Sequence, residues 1–374
     1  MKKWKMGCAL VSIVVHFAFF TFAFCILHFV FRVFFINFAP DLSVMETKRT
    51  IDVIINPIAG VRPKDEIPAL VRAALPRADF DVSIRFTERA GHASELAADA
   101  VRRGVDTVVA IGGDGTINET ARSLVGSRTA LGLVPMGSGN GLARHIQIPL
   151  EAQNALQVVR EGHREAVDYG TVNGHIFFCT AGIGFDAKIS EVFSRSKERG
   201  GLTYLRNVLD LLHDYKPSTY ELHTDDERIR QRAFLICIGN ASQWGNHAMI
   251  TPRASMQDGQ MDITLVKPFP MVDAPQMVMQ LFNGTLDRND HCASFRSAHT
   301  RIVLPHRDYV HVDGEPIEME GVLDIQTVPA ALQVLTPRVP MHNVLEPIQY
   351  AFAEVHYSIQ NYLRSVMNLH KLKL

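Results

Sequence analysis

Residues 51–55 form a nearly continuous apolar run, the pattern of a strand covered on both faces. The turn Asn56-Pro57-Ile58-Ala59-Gly60 closes it. The pattern then predicts a helix over about 64–75, a strand over 80–86 and a helix over 92–103. In that last helix Ala93, Leu96, Ala97 and Ala100 fall at helical spacing. Two more apolar runs, 107–111 and 131–134, each end in a glycine cluster and lead into a helix-like stretch. Alternation of this kind, continuing to about residue 166, predicts parallel strands with helices on both faces and ligands at the carboxyl ends of the strands.

After about residue 168 the texture becomes β-rich, with short runs at 175–179, 219–223, 233–238, 261–266, 301–303, 309–312 and 332–335. One helical insert is predicted at about 202–215. This second half reads as a mainly antiparallel sandwich. The expected organisation is therefore an α/β domain over 45–167, a β-sandwich domain over 168–338, and a last amphipathic helix. In that helix, within 339–374, Ile348, Phe352, Val355, Ile359, Leu363, Val366 and Leu369 share one face. Packing on the protein body and lying on a membrane surface are both open for it.

The first 44 residues differ in kind. Lys2, Lys3 and Lys5 precede a run over 6–39 that holds ten of the 21 phenylalanines and only Arg32 as a firm charge. That length suffices to span a bilayer, and no cleavage site is evident. A basic start favours a cytoplasmic N-terminus, which would put the body of the chain on the far side, out of the cytoplasm. A surface-lying segment, an inverted orientation aided by Lys48, Arg49 and Arg62, or translation from Met45 would each remove the conflict. The expectation is a membrane-associated protein whose body after residue 44 is cytoplasmic.

Composition adds exclusions. With 374 residues, 47% hydrophobic, and a net charge of −1, the chain has room for two cores and lacks the basic surplus of a nucleic-acid binder. Five cysteines without CxxC spacing read as reduced thiols. No Walker-type G-x-x-x-x-G-K-[ST] is present. The phosphate-binding chemistry must instead come from Gly112-Gly113-Asp114-Gly115-Thr116 and Gly137-Ser138-Gly139-Asn140-Gly141. Glycines there let the backbone approach a ligand, and amides at the following helix starts carry positive partial charge.

These segments, taken in order with five others, resemble the diacylglycerol/sphingosine/ceramide lipid kinase family, related to NAD kinases and phosphofructokinases through the GGDG loop. The series is NPIAG at 56–60, TERAGHASELA at 87–97, GGDGTINE at 112–119, PMGSGNGLA at 135–143, GIGFDA at 182–187, TPRASMQDGQMD at 251–262 and VDGE at 312–315. The resemblance implies ATP and Mg²⁺ as cofactors and a lipid acceptor at the membrane surface, with homodimerisation left open. It implies a nucleotide site lined by Asn56, Pro57, Gly60, Thr87, Gly112, Gly113, Gly115, Thr116, Glu119, Gly137, Ser138, Gly139 and Asn140, with Arg199 neutralising γ-phosphate charge. Read on their own, Asn56 also suits an Asx-turn and Thr87 a helix N-cap.

The acidic residues carry the remaining implications. Asp114 or Glu315 would accept the acceptor's hydroxyl proton, and Asp313 would stand on the magnesium side. Asp114 also suits a structural carboxylate bonding its own loop's amides, and Asp313-Gly314 alone is a hairpin turn. Asp186 would bind the lipid head group. Ser255, Asp258 and Gln260 would hold a structural magnesium through oxygen ligands, or form a plain turn. His145, His247, His291 and His311 have no ligand spacing. The second loop, GSGNG rather than GTxND, resembles sphingosine and ceramide kinases more than bacterial diacylglycerol kinases. Two rivals stay beside this reading: an NAD kinase-like nucleotide kinase, and a membrane-tethered nucleotide-binding regulator without turnover.

Overall fold

The computed structural model describes residues 48–59, 66–195, 211, 212 and 214–338. The apolar segment 1–44, Gly60, Lys197, Arg199, residues 202–210 and 213 of the expected helix at 202–215 and the amphipathic stretch at 344–374 lie outside them. Among the described residues no helix is long and apolar enough to cross a membrane.

The first half alternates as its pattern predicts: β1 (Arg49–Ile55), α1 (Ile67–Ala74), β2 (Phe80–Phe86), α2 (His92–Arg102), β3 (Thr107–Gly112), α3 (Asp114–Leu124), β4 (Ala130–Pro135) and α4 (Gly141–His145). Strands β2, β1, β3 and β4 lie side by side and parallel. β3 and β4 are buried along their whole length, because helices cover both faces, so all but Thr107 at the start of β3 are apolar, glycine or proline. In α2, Ala93, Ala97 and Ala100 are buried, which sets the small-residue face against the sheet and α3. All four strands therefore deliver their carboxyl ends, at Ile55, Phe86, Gly112 and Pro135, to one edge.

Helix α5 (Ala152–Glu161) leads into β5 (His163–Val172), β6 (His175–Phe177), β7 (Thr180–Gly184) and α6 (Phe185–Arg195). Then come β8 (Ser218–His223), β9 (Arg228–Ala233), β10 (Leu235–Gly239), β11 (Met261–Val266), α7 (Ala274–Asn283), β12 (Cys292–Ser297), β13 (His299–Val303), β14 (Asp308–Val312), β15 (Glu315–Met319) and β16 (Val322–Thr336). One antiparallel sheet runs β12-β11-β10-β7-β14-β15. It faces β5, β8, β13 and β16 across a core that includes Phe177, Tyr220, Ile238, Ile263, Ile302 and Leu323. This is the antiparallel sandwich.

The sandwich sheet is continuous with the parallel sheet. β16 pairs with β4 in parallel at Val334 and Leu131, and with β13 and β5 antiparallel. The change of texture at residue 168 thus falls within β5. Buried Asp168 pins this junction: its two carboxylate oxygens accept the amides of Ala330 at 2.7 Å and Gly259 at 2.8 Å. Ala330, at a φ of 50-odd degrees, sits where the β16 register shifts, so a buried carboxylate satisfies the amide that the bulge leaves unpaired.

Candidate active site

The two glycine loops are packed directly on each other. A Cβ on Gly137 would stand 2.8 Å from the Gly113 Cα and 3.0 Å from the Asn140 carboxamide oxygen. One on Gly139 would stand 2.9 Å from the Asp114 carboxylate. Any side chain there would push the loops apart. Asn140, in the left-handed region at φ 51°, closes its own turn: its side chain accepts the Gly137 amide at 3.0 Å and donates to the Gly137 carbonyl at 2.8 Å.

Asp114 locks the pair together. Its Oδ2 accepts the Asn140 amide and its Oδ1 the Gly141 amide, each at 2.8 Å. The carboxylate first read as proton acceptor or magnesium contact is thus the strut between the loops, with both oxygens taken by charge-assisted bonds.

The neighbouring loops are fixed in the same manner. Asn56 accepts the Ile58 amide at 3.1 Å, which is the Asx-turn, and donates to the Thr116 hydroxyl at 2.9 Å. Pro57 is exposed at the tip. Thr87 is buried and its amide donates to the Ile55 carbonyl at 2.9 Å. It does not cap α2, because the helix begins at His92 and left-handed Gly91 occupies the cap position. Glu119, expected at the nucleotide, instead accepts the Gly91 amide at 2.9 Å and ties that loop to α3. Gly115 and Ser138 are exposed. Together these loops present glycine-rich backbone along the edge where the parallel strands end.

The sandwich brings a second set of acids to α3. Glu315 is exposed and lies 3.4 Å from the Arg122 guanidinium in the last turn of α3. Asp313 is held otherwise: its carboxylate accepts the amides of Phe178 and Cys179 at 2.8 Å and of Thr180 at 3.1 Å. Burial pushes its carboxyl above the ordinary range, against the pull of those amides and of Arg122. Three amides leave it little to offer a cation, so Asp313 shapes the turn rather than standing on a magnesium side. Between the two halves lies Cys179, whose thiol is pushed well up by burial and then by Asp313 and Asp114. It is an inert spacer, not a nucleophile.

Asp186 sits in the first turn of α6, where buried β7 ends. Its Oδ1 accepts the Ala187 amide at 2.8 Å, and its Oδ2 lies 3.1 Å from the Nε2 of His311, both side chains being buried. His311 Nδ1 accepts the Gly314 amide at 3.4 Å, which assigns the ring proton to Nε2. A Cβ on Gly182 would lie 2.2 Å from Asp186 and 2.7 Å from His311, so that glycine makes room for the pair. Sequence spacing missed His311. The signal available was the period of two along β14, which turns His311 away from the core residues Val310 and Val312.

Asp186, His311 and Gly314 form the polar end of a cavity of about 370 Å³. Its walls are apolar, with Phe185, Phe234, Trp244, Phe269, Met277 and Leu281 among them. Segment 244–246 joins this cavity to the edge where the parallel strands end. Trp244 lines the cavity, while Gly245, at φ 124°, packs against Gly139 and Asn246 donates its amide to the Gly139 carbonyl at 3.1 Å.

The turn at Ser255, Asp258 and Gln260 does not fit a cation. Asp258 accepts the Gln260 amide at 3.1 Å through one oxygen and pairs with the Arg296 guanidinium through the other. Ser255 accepts the Gln257 amide at 3.3 Å. Arginine already supplies the positive charge that a metal would bring. Among the described residues no three His, Cys, Asp or Glu side chains are grouped to hold an ion.

The fold and these loops are those of a lipid-kinase-like phosphotransferase, and the comparisons agree. Residues 50–172 match the diacylglycerol kinase catalytic domain family, and residues 179–336 match the YegS C-terminal NAD kinase beta sandwich-like domain. Proteins named "Probable lipid kinase YegS-like" from Yersinia pestis (strain Pestoides F) and Yersinia pseudotuberculosis serotype O:1b (strain IP 31758) are each 33% identical over 266 residues, covering 69% of this chain and 88% of theirs. A solved diacylglycerol kinase structure from Bacillus anthracis str. Sterne superposes with a TM-score of 0.61 at 19% identity, covering 79% of this chain and 99% of that one. The chain belongs to the YegS-like lipid kinase family.

Proposed function

We propose that the protein transfers the γ-phosphate of ATP to a hydroxyl of a long-chain lipid, either a sphingoid-base or ceramide-like lipid or a diacylglycerol. One observation carries this reading: the apolar cavity ends in Asp186, His311 and Gly314, and Gly314 precedes Glu315, the exposed carboxylate above the helix that starts at the first glycine loop. A lipid filling the cavity would set its hydroxyl at that polar end. The acyl chains would gain the burial that an apolar wall supplies.

In this reading the amides of residues 112–116 and 137–140 cradle the phosphates, held at the right separation by Asp114. Mg²⁺ carried by the nucleotide would neutralise phosphate charge when bound. Glu315 accepts the hydroxyl proton as the new oxygen–phosphorus bond forms and the bond to ADP breaks. Asp186, oriented by His311, accepts a hydrogen bond from the head group and fixes its direction. Phosphoryl transfer asks mainly for such positioning. The GSGNG form of the second loop supports a sphingoid or ceramide-like acceptor, and the match to the diacylglycerol kinase family supports diacylglycerol.

The deciding experiment incubates the full chain with radiolabelled ATP and sphinganine, ceramide, diacylglycerol or NAD. Label in one of the lipids is expected. Label in NAD alone would replace this reading with a nucleotide kinase, and no label in any acceptor would favour a non-catalytic regulator.

A further inference from the structure

Helix α7 has two apolar sides. Ala274, Met277, Val278 and Leu281 line the cavity. The other side faces outward: Met279 is 70% exposed and Phe282 51%, and just before the helix Val272 is 82% exposed and Met271 58%. Positions 271/272, 275, 278/279 and 282 recur at three to four residues, so they form one stripe. Val278 belongs to both sides, lining the cavity while 52% exposed. Stripe and cavity therefore meet at the cavity's mouth.

A contiguous exposed apolar stripe marks an interaction surface, whereas scattered apolar residues do not. Between residues 271 and 283 the sequence has no lysine or arginine and a single acid, Asp273. The surface is built for apolar burial rather than for attraction to charge. We infer that this stripe seats the protein on a lipid bilayer, with α7 lying at the boundary of head groups and acyl chains. The acceptor then passes from the leaflet over Val278 into the cavity without exposing its chains to water. This rests on the lipid-acceptor reading above.

Two measurements on the full chain test it. In the first, a Val272→Asp/Met279→Asp/Phe282→Asp variant is assayed on dioleoylglycerol in phosphatidylcholine vesicles and on monomeric dihexanoylglycerol. At least a tenfold loss of kcat/KM on vesicles is expected, with less than a twofold change on the monomer and little dependence on salt. Equal losses on both acceptors would overturn the inference. In the second, Val272→Trp is mixed with phosphatidylcholine vesicles carrying brominated chains. Quenching beyond that of the parent chain, which already holds Trp4 and Trp244, is expected. No added quenching, as when residues 344–374 or a second copy cover the stripe, would also overturn it. If the parent phosphorylates no lipid at all, the proposed function fails while the quenching still decides the docking.

Discussion

Arg122 and Glu315 are 193 residues apart in the chain, and their side chains meet at 3.4 Å. This contact sets the sandwich's exposed acid over the helix that opens at the first glycine loop. Glu315→Gln should lower kcat by about 10²–10⁴-fold, the usual yield of a general base. Stability should change by less than ~0.5 kcal/mol, because the ion pair is solvent-screened. Turnover measured beside thermal unfolding checks both. Unchanged turnover would remove Glu315 from the chemistry.

Asp114→Asn should act differently. An amide nitrogen would face the Asn140 or Gly141 N–H that the carboxylate now accepts. One buried donor is left unmet, a cost of about 1–3 kcal/mol. The loops separate and ATP affinity falls, which titration calorimetry with nucleotide reads without any lipid. A variant that binds ATP normally yet has lost turnover would return Asp114 to the role of proton acceptor.

Gly245→Ala probes the link between the two sites. Its φ of 124° is strained for alanine, and the added methyl would stand 2.9 Å from the Gly139 Cα. The variant should weaken ATP binding and raise the KM for lipid together, since Trp244 beside it lines the cavity. A change in lipid KM alone would show that the segment serves the cavity only.

Acid should destabilise the fold through His145. Burial lowers its pKa to about 4, and its Nδ1 accepts the Ser242 amide at 3.1 Å, a bond only the neutral ring can make. Between pH 6.5 and 4 the unfolded chain takes up a proton that the folded one refuses, so stability is full above the unfolded pKa and drains as pH falls. The loss is at most about 3 kcal/mol. Denaturant titrations of the parent and His145→Asn across that window should converge toward pH 4. Parallel curves would count against it.

Much of the first half was legible because strands buried on both faces, such as β1 and β3, write nearly continuous apolar runs; the alternating run 80–86 and, in the second half, the run 261–266 match β2 and β11 to the residue. Exposed strands were not. β9 (Arg228–Ala233) alternates Arg228, Arg230 and Arg232 outward with Ile229, Gln231 and Ala233, so it has only two apolar residues, and β16 is read only over 332–335 because Pro329 and the bulge at Ala330 interrupt its pattern. α7 escaped because Pro275 looks like a breaker, yet it sits in the first turn, where no amide is needed. At the site, glycine spacing located both loops. It left open whether Asp114 bonds backbone amides and did not reveal that Glu119 and Asp313 do, because those amides come from segments up to 135 residues away.

Because, among the described strands, β4 finds its second neighbour only in β16, the parallel half has an open hydrogen-bonding edge until the ribosome has made almost the entire described chain. A nascent or truncated product ending before residue 322 would display that edge to other chains, the usual seed of aggregation. Synthesis of the last described strand is thus the step that closes the parallel half as well as the sandwich.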